Sequence, residues 1–338
     1  MKKLISLICV LAMVLALAAC GSSAPAAATE APAASTEAPS ADVSADKTFA
    51  VGICQLVQHP ALDAATQGFK DALTEALGDK VTFQEQNASG DSATCSLICN
   101  QFVSDEVDLI MANATASIQA AASATNTIPV LGTSITDYGV ALGVDNWTGV
   151  SGTNISGTSD LAPLDGQAAM IQELFPDAKT IGLLYCSGEP NSIFQADSME
   201  ALLTDMGYSV ERYTFADSND VSSVTANACS NSDVLYIPTD NTAASCTEAI
   251  NNVALSAGIP IVAGEEGIAS GCGVATLSIS YYDLGRATGE MAAEILTGGA
   301  DVSTMEVRFA PAFTKEYNAD ICEALNITVP EDYVAIAK

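Results

Sequence analysis

The 338-residue chain carries 11 Lys and Arg residues against 41 Asp and Glu residues, a formal net charge of −30 at pH 7. A chain this acidic is a poor partner for nucleic acid, because phosphate binding requires a basic surface. Its length suits two medium-sized domains, on a prior of ~150 residues per domain.

The first residues are typical of an export signal. Two lysines precede an apolar run over residues 4–19, which is too short and too alanine-rich for a permanent membrane span. The run ends in Leu-Ala-Ala-Cys, a string that resembles the bacterial lipobox. We therefore expect residues 1–19 to be a signal peptide, and Cys20 to carry a lipid that anchors the protein on the extracellular face of the cell membrane. The alternative is an ordinary signal peptide followed by a chance cysteine.

Residues 20–46 form a low-complexity stretch of mostly Ala, Ser, Pro, Thr, Gly and acidic residues. Such a stretch buries too little apolar surface to offset its ordering entropy. We interpret it as a flexible tether between the lipidated cysteine and the folded body.

From residue 47 onward, short β-rich runs alternate with helical patterns of about a dozen residues, which is typical of parallel βαβ units. The series restarts near the middle of the chain. The pattern predicts an α/β protein with two doubly wound parallel-sheet lobes. The stretch YYDLGRATGEMAAEIL looks like the returning helix of two-lobed binding proteins, and this resemblance implies a three-crossing hinge between the lobes. We expect the N-terminal lobe to comprise residues 47–157 plus 281–302, and the C-terminal lobe residues 158–280 plus 303–338.

Polar side chains follow the predicted strands, where ligands bind in open parallel sheets. Asn113 ends one strand and a helix begins near Thr115, so the free amides of that helix could hold a carboxylate. Asp240 follows a strand of the second lobe and could pair with an ammonium group. In both cases the alternative is simple helix capping.

The chain resembles the ABC-transporter substrate-binding lipoproteins of the tryptophan/tyrosine type, which have a type I periplasmic-binding-protein fold. The motifs that carry the resemblance include VGICQLVQHPALD, PVLGTSITD, NISGTSD, GLLYCSGEPNS, IPTDNTAAS and YYDLGRATG, in this order. The resemblance implies an aromatic amino acid as the solute and a membrane ABC permease as the partner. The candidate ligand-binding residues, from strand ends and motifs together, are Gln55, Asn113, Ala114, Thr115, Ser134, Asp137, Glu189, Asn191, Ser192, Asp240, Asn241 and Glu265.

Two departures from the family pattern bear on the solute. Asn113-Ala114-Thr115 stands where many members carry Thr-Pro-Ala, and Tyr138 replaces a frequent proline. Tyr138, Phe194 and Tyr282 are candidates to stack on an aromatic ring, with core packing as the alternative for each.

The sequence contains no nucleophile elbow, phosphate-binding loop or metal motif, and it has a single histidine, His59. We therefore expect a monomeric binding protein with no catalytic residues, no cofactor and no metal. An adhesin, a receptor for another kind of solute and an exported hydrolase that depends on His59 are the competing functions.

The lipobox generates the first testable prediction. Cys20→Ser removes the thiol that would receive the lipid, so we expect the variant to be released into the culture medium. Membrane fractionation with immunoblotting measures the distribution, and Cys9→Ser within the signal is the matched control. Unchanged membrane retention of Cys20→Ser would contradict lipidation at this residue.

Overall fold

The computed structural model describes residues 47–337; the predicted signal peptide, Cys20 and the tether lie outside these residues. The described part of the chain has thirteen strands and twelve α-helices. The strands are β1 (Phe49–Gln55), β2 (Val81–Asn87), β3 (Leu109–Asn113), β4 (Val130–Ile135), β5 (Ile155–Ser159), β6 (Thr180–Cys186), β7 (Ser209–Phe215), β8 (Val234–Ile237), β9 (Ile261–Ala263), β10 (Ala275–Ser278), β11 (Arg308–Phe309), β12 (Thr314–Tyr317) and β13 (Val334–Ala335). The helices are α1 (Pro60–Leu77), α2 (Ser92–Ser104), α3 (Thr115–Ala124), α4 (Tyr138–Leu142), α5 (Leu164–Leu174), α6 (Pro190–Asp205), α7 (Val221–Asn231), α8 (Asn241–Ser245), α9 (Thr247–Ala257), α10 (Glu266–Cys272), α11 (Tyr281–Leu296) and α12 (Ala319–Leu325).

The strands form two sheets, one in each lobe. The first has the order β11-β5-β4-β3-β1-β2 and is parallel throughout. The second has the order β13-β12-β10-β9-β8-β6-β7, in which only β10 and β12 pair antiparallel. The predicted fold of two doubly wound parallel-sheet lobes is confirmed.

The central strands of the first sheet are continuous apolar runs. All of β3 and β4 and nearly all of β1 are buried, as expected for strands with helices on both faces. Separate apolar clusters cover the two faces of each sheet, so each lobe has its own core.

The chain crosses between the lobes three times. It leaves the first sheet after β5, returns through α11, which packs against α1, and leaves again after β11. The third crossing lies later than the predicted boundary at residues 302 and 303. The physical reason is that Arg308 and Phe309 pair with Thr158 and Ser159 of β5, so this short strand completes the first sheet.

Several helices are shorter than the pattern of about a dozen residues that the sequence predicts. Near the cleft, α8 and α9 of the second lobe are separate helices that meet at Cys246. Three further short helices are α4, α10 and α12. Each begins at a side chain that accepts hydrogen bonds from the first-turn amides: Asp137, Glu265 or Asn318.

The eight cysteines of the described residues are free thiols, and all but Cys246 are buried. Cys54 and Cys95 both contact the hydroxyl of Ser117 at 3.6 Å. Buried cysteines of this kind pack as small apolar side chains.

Glycines allow α1 and α11 to approach each other closely. A Cβ at Gly68 would lie 2.0 Å from the carbonyl oxygen of Tyr282, and a Cβ at Gly285 would lie 2.0 Å from that of Ala65. Backbone oxygens cannot move aside as flexible side chains do, so these two positions require glycine. Helix α11 is thereby held against the helix that begins at the cleft.

We expect Gly68→Ala to lower the free energy of unfolding by about 1–3 kcal/mol, the usual cost of overpacking, despite the higher helix propensity of alanine. Chemical denaturation measures the change. The control is Gly188→Ala, because a Cβ there meets only Cys186 Sγ, at 3.7 Å. Equal stability of the two variants would contradict the close packing of α1 against α11.

Candidate functional site

A small cavity, with about 10 Å³ of space open to the centre of a water molecule, lies between the two lobes. The carboxyl ends of β1, β4 and β5 from the first lobe and of β6, β8 and β9 from the second lead toward it, as expected for ligand sites in parallel sheets. Its wall is formed by His59, Leu62, Ser134, Thr136, Asp160, Asn191, Thr239, Asp240, Asn241, Ala244, Glu265 and Tyr281. The wall therefore contains several carboxyl groups and neither lysine nor arginine.

The structure brings together part of the predicted set. Five of the predicted residues line the cavity: Ser134, Asn191, Asp240, Asn241 and Glu265. The others are not part of its wall: Gln55, Asn113, Ala114, Thr115, Asp137, Glu189 and Ser192.

The two predicted carboxylates on the wall are engaged with the backbone. Asp240 Oδ1 accepts a hydrogen bond from Ala243 N at 2.8 Å, and its Oδ2 accepts one from Cys186 N at 2.7 Å. Glu265 accepts from Gly267 N and Ile268 N, each at 2.6 Å. Burial raises the pKa of Glu265 to about 7, and burial together with Glu189 raises the pKa of Asp240. Both side chains cap helices, which was the alternative reading of Asp240.

Glu189 and Asp137 are also caps. Glu189 Oε1 accepts from Thr242 N at 2.8 Å and Oε2 accepts from Asn241 N at 3.0 Å, so this carboxylate covers the first turn of α8. Asp137 accepts from Val140 N at the start of α4. The carboxylates predicted from sequence thus cap helix N-termini, where unpaired amides and the helix dipole favour negative charge.

The predicted carboxylate-binding turn lies behind the cavity wall. Asn113 donates to Leu62 O at 2.9 Å and to the Thr66 hydroxyl at 3.0 Å, which ties β3 to α1. Ala114 has a φ of 81°, an unusual value for a residue with a Cβ, and no side chain caps α3. The turn therefore supports α1 instead of facing the cavity.

Asp160, which the sequence analysis did not select, carries the free carboxylate of the site. It follows β5 at the first crossing, within the NISGTSD motif, and is 3% exposed. Its Oδ2 accepts a hydrogen bond from the Tyr281 hydroxyl at 2.9 Å, whereas Oδ1 is buried without a partner. Burial raises the pKa of Asp160 to about 6, although the hydroxyls of Tyr281 and Thr136 favour its ionised form. Asp160 could have been selected from the sequence because it directly follows a strand, as the other candidate residues do.

Ser134 reaches the cavity because β4 is irregular. The register with β5 shifts between Gly132 and Ile135, and Ser134 has a φ of 56°. Bulges and left-handed residues of this kind redirect side chains next to functional sites. The hydroxyl of Ser134 is buried and has no partner in the described structure.

His59 occupies the entrance to α1 but does not cap it. Its Nε2 lies 3.3 Å from Asn241 Oδ1 of the other lobe, and its Nδ1 is buried without a partner. Burial lowers the pKa of His59, which the Asn241 bond and the charge of Glu189 only partly oppose. The ring is therefore neutral.

Tyr281 is the aromatic side chain on the wall. Of the three predicted stacking residues, Tyr138 is buried in the core against Trp147, with ring centroids 5.8 Å apart. Tyr282 lies in an outer groove and donates to Asp71, and Phe194 is absent from the cavity wall. For Tyr138 the core-packing alternative holds.

Side chains from the two lobes meet across the cleft. Besides the His59–Asn241 contact, Gln195 of α6 lies 3.5 Å from the Thr136 hydroxyl of the first lobe. Gln195 also donates to Thr239 O and accepts from Thr239 N. These contacts join the lobes in a closed arrangement.

Among residues 47–337, no group of three or more potential metal-ligating side chains is placed to hold an ion. In the same range, every helix is too short or too polar to cross a membrane.

Comparisons with known proteins agree with this architecture. A tyrosine-binding protein of Clostridioides difficile strain R20291 is 39% identical over 251 residues, which cover 73% of this chain and 72% of the relative. The Streptococcus pneumonia ABC domain in complex with L-Trp is 32% identical, with a TM-score of 0.80 over 84% of this chain and 97% of the other. A ligand-free, open substrate-binding protein with adhesive properties from Clostridium difficile is 37% identical, with a TM-score of 0.66 over 86% and 99% of the two chains.

The family model described as ABC transporter substrate binding protein matches residues 50–338, which is nearly all of the folded body. This is a family of proteins that bind solutes for transport, and it is not an enzyme family. Two lobes, three crossings and a polar cavity between strand ends are the structural counterpart of that match. This chain belongs to the ABC transporter substrate-binding proteins.

Proposed function

We propose that this protein captures an aromatic α-amino acid between its lobes and delivers it to an ABC permease, while a lipid on Cys20 holds it at the outer face of the membrane. The observation that carries the proposal is Asp160, a buried carboxylate with one oxygen unpartnered at the cavity wall. The protein acts as a monomer and by binding alone.

The free oxygen of Asp160 suits an ammonium group. A buried carboxylate gains most from a charged hydrogen-bond donor, and neither lysine nor arginine lines the cavity to supply one. The site therefore favours a ligand that carries a positive charge. The hydrogen bond from Tyr281 orients the carboxylate for this contact.

The carboxylate of the ligand has partners in the first lobe. Helix α1 is 18 residues long, begins with proline after His59, and has no side-chain cap. Its free first-turn amides and its dipole favour an anion, and Leu62 of that turn lines the cavity. The unpartnered hydroxyl of Ser134 is a further donor. These groups replace the predicted Asn113-Ala114-Thr115 turn in our assignment.

Similarity to known proteins and the residues of the cavity wall both support an aromatic side chain on the ligand. Two relatives more than 30% identical to this chain have names that state a ligand: a tyrosine-binding protein, at 39%, and an L-Trp complex, at 32%. Leu62, Ala244 and Tyr281 provide the apolar and aromatic surface against which a ring can pack.

Ligand capture is coupled to closure. The structure is more similar to the L-Trp complex, with a TM-score of 0.80, than to the open, ligand-free protein, with 0.66, although the latter has the higher identity. Because the cavity wall is formed by residues of both lobes, bound solute favours the closed state, and closure forms the surface that the permease recognises.

We expect Asp160→Asn to weaken amino-acid binding by roughly 2–5 kcal/mol, the range for removing one partner of a buried charge pair. Titration calorimetry with L-tyrosine and L-tryptophan measures the change. Asp165→Asn, an exposed carboxylate at the start of α5, is the matched control and should bind as the wild type does. Full affinity in Asp160→Asn would refute the ammonium contact. Absence of binding in the wild type would refute the amino-acid ligand.

The pKa of Asp160 near 6 sets a pH dependence. Protonation removes the charge that pairs with the ammonium group, so affinity should fall as pH drops through about 6 and approach a tenfold loss per pH unit below it. Because the ligand favours the ionised carboxylate, binding in this range should release protons. Calorimetry between pH 7 and pH 5 in buffers of different ionisation enthalpy detects both effects.

Asp160→Asn is the control for the pH dependence. Glu265 and Asp240 also titrate at the cavity, and their contributions persist in this variant. The difference between wild type and variant therefore isolates Asp160. An identical pH profile for the two proteins would show that Asp160 does not face the ligand's charge.

A further inference from the structure

His59 is the single histidine of the chain, and it lies on the cavity wall. It is 6% exposed and belongs to the first lobe, whereas its hydrogen-bond partner Asn241 belongs to the second. Because the two residues lie in different lobes, their 3.3 Å contact forms only when the lobes are closed.

The orientation of the Asn241 amide is fixed by Glu189. Asn241 Nδ2 donates to Glu189 Oε2 at 2.7 Å, and the backbone N–H of Asn241 donates to the same oxygen. Glu189 is itself held by the amide and hydroxyl of Thr242, each at 2.8 Å. A reversed amide would place two oxygens together, so the Asn241 carbonyl oxygen must face His59.

This arrangement determines the tautomer of His59. A carbonyl oxygen only accepts hydrogen bonds, so Nε2 must carry the proton. A neutral imidazole has one donor and one acceptor, which leaves Nδ1 with a free lone pair. Nδ1 is buried, has no partner within the described residues, and does not cap α1. A buried acceptor without a partner is costly, and a ligand donor would remove that cost.

We propose that Glu189 and Asn241 are positioning residues that fix His59 as the Nε2–H tautomer when the lobes close, so that Nδ1 accepts a hydrogen bond from an N–H or O–H group of the bound amino acid. The inference rests on the proposed function, which it refines. It makes His59 and Asp160 a pair of acceptors on one wall. The site therefore selects a donor-rich ligand, and a ligand that offers only acceptors is excluded.

The lone histidine permits a direct test by NMR. Protein with ¹⁵N-labelled histidine and an affinity tag that lacks histidine gives one imidazole signal set. With saturating L-tyrosine or L-tryptophan, long-range ¹H–¹⁵N correlation should show protonated Nε2 and unprotonated Nδ1. The Nδ1 resonance should move on ligand addition, as expected for a new hydrogen bond. A dominant Nδ1–H ring, or an Nδ1 resonance unaffected by ligand, would overturn the proposal.

Variants test the two positioning residues. Glu189→Gln releases the Asn241 amide and Asn241→Ala removes the carbonyl oxygen, so each should give a mixture of tautomers in the ligand-bound state. Glu248→Gln, the same chemical change at an exposed position of α9, should leave the tautomer unchanged. A single Nε2–H tautomer in all three variants would show that Glu189 and Asn241 do not control His59.

Two substitutions of His59 separate its ligand contact from its link between the lobes. His59→Gln keeps a donor for Asn241 but has no acceptor at the Nδ1 position, so affinity should fall roughly 5- to 150-fold. His59→Asn places an amide oxygen near the Nδ1 position and should recover part of that loss. Wild-type affinity in His59→Gln would mean that His59 only links the lobes.

The experiment distinguishes this inference from the proposed function. If wild type binds no amino acid by calorimetry, the proposed function fails, and the ligand contact of His59 fails with it. If wild type binds and Asp160→Asn weakens binding but His59→Gln does not, the proposed function stands and only the present inference fails.

Discussion

Buried carboxyl groups without basic partners are the constraint on which the cleft depends. Asp160, Asp240 and Glu265 line the cavity, and each is 3% exposed or less. Isolated buried charges are costly, so each must find hydrogen-bond donors or remain protonated. For Asp240 and Glu265 the donors include backbone amides at helix N-termini, so short helices begin at these strand ends beside the cavity.

This solution leaves one carboxylate available. Asp240 and Glu265 use both of their oxygens on amides, whereas Asp160 uses one oxygen on the Tyr281 hydroxyl. Asp160 follows β5 at the first crossing and Tyr281 begins α11 at the second, so their bond joins two crossings of the hinge. The group proposed to hold the ligand charge is therefore attached to two of the segments that connect the lobes, so the proposed charge recognition and closure can be coupled directly.

The first lobe supplies a rigid base for this arrangement. Close packing of α1 against α11 at Gly68 and Gly285 fixes the start of α1, and the amide of Asn113 ties the same turn to β3. His59 and the free amides of α1 are thereby held at the cavity. The second lobe contributes Asn191, Thr239 and Asn241, and through Gln195 and Asn241 it contacts the first lobe across the cleft.

The sequence alone determined the two doubly wound lobes, because apolar strand runs, helical periodicity and their order along the chain are local signals. It also placed polar residues at the strand ends, and five of these line the cavity. What it could not decide is which carboxylate is free. From local sequence alone, a capping role and a binding role cannot be told apart for Asp137, Glu189, Asp240 and Glu265. Asp160 is distinguished by its bond to Tyr281, 121 residues away, and by its unpartnered oxygen. The role of His59 depends on a residue 182 positions away, and the third crossing depends on pairing between β5 and β11. Partners this distant in sequence are set by how the lobes pack, so only the tertiary structure decided them.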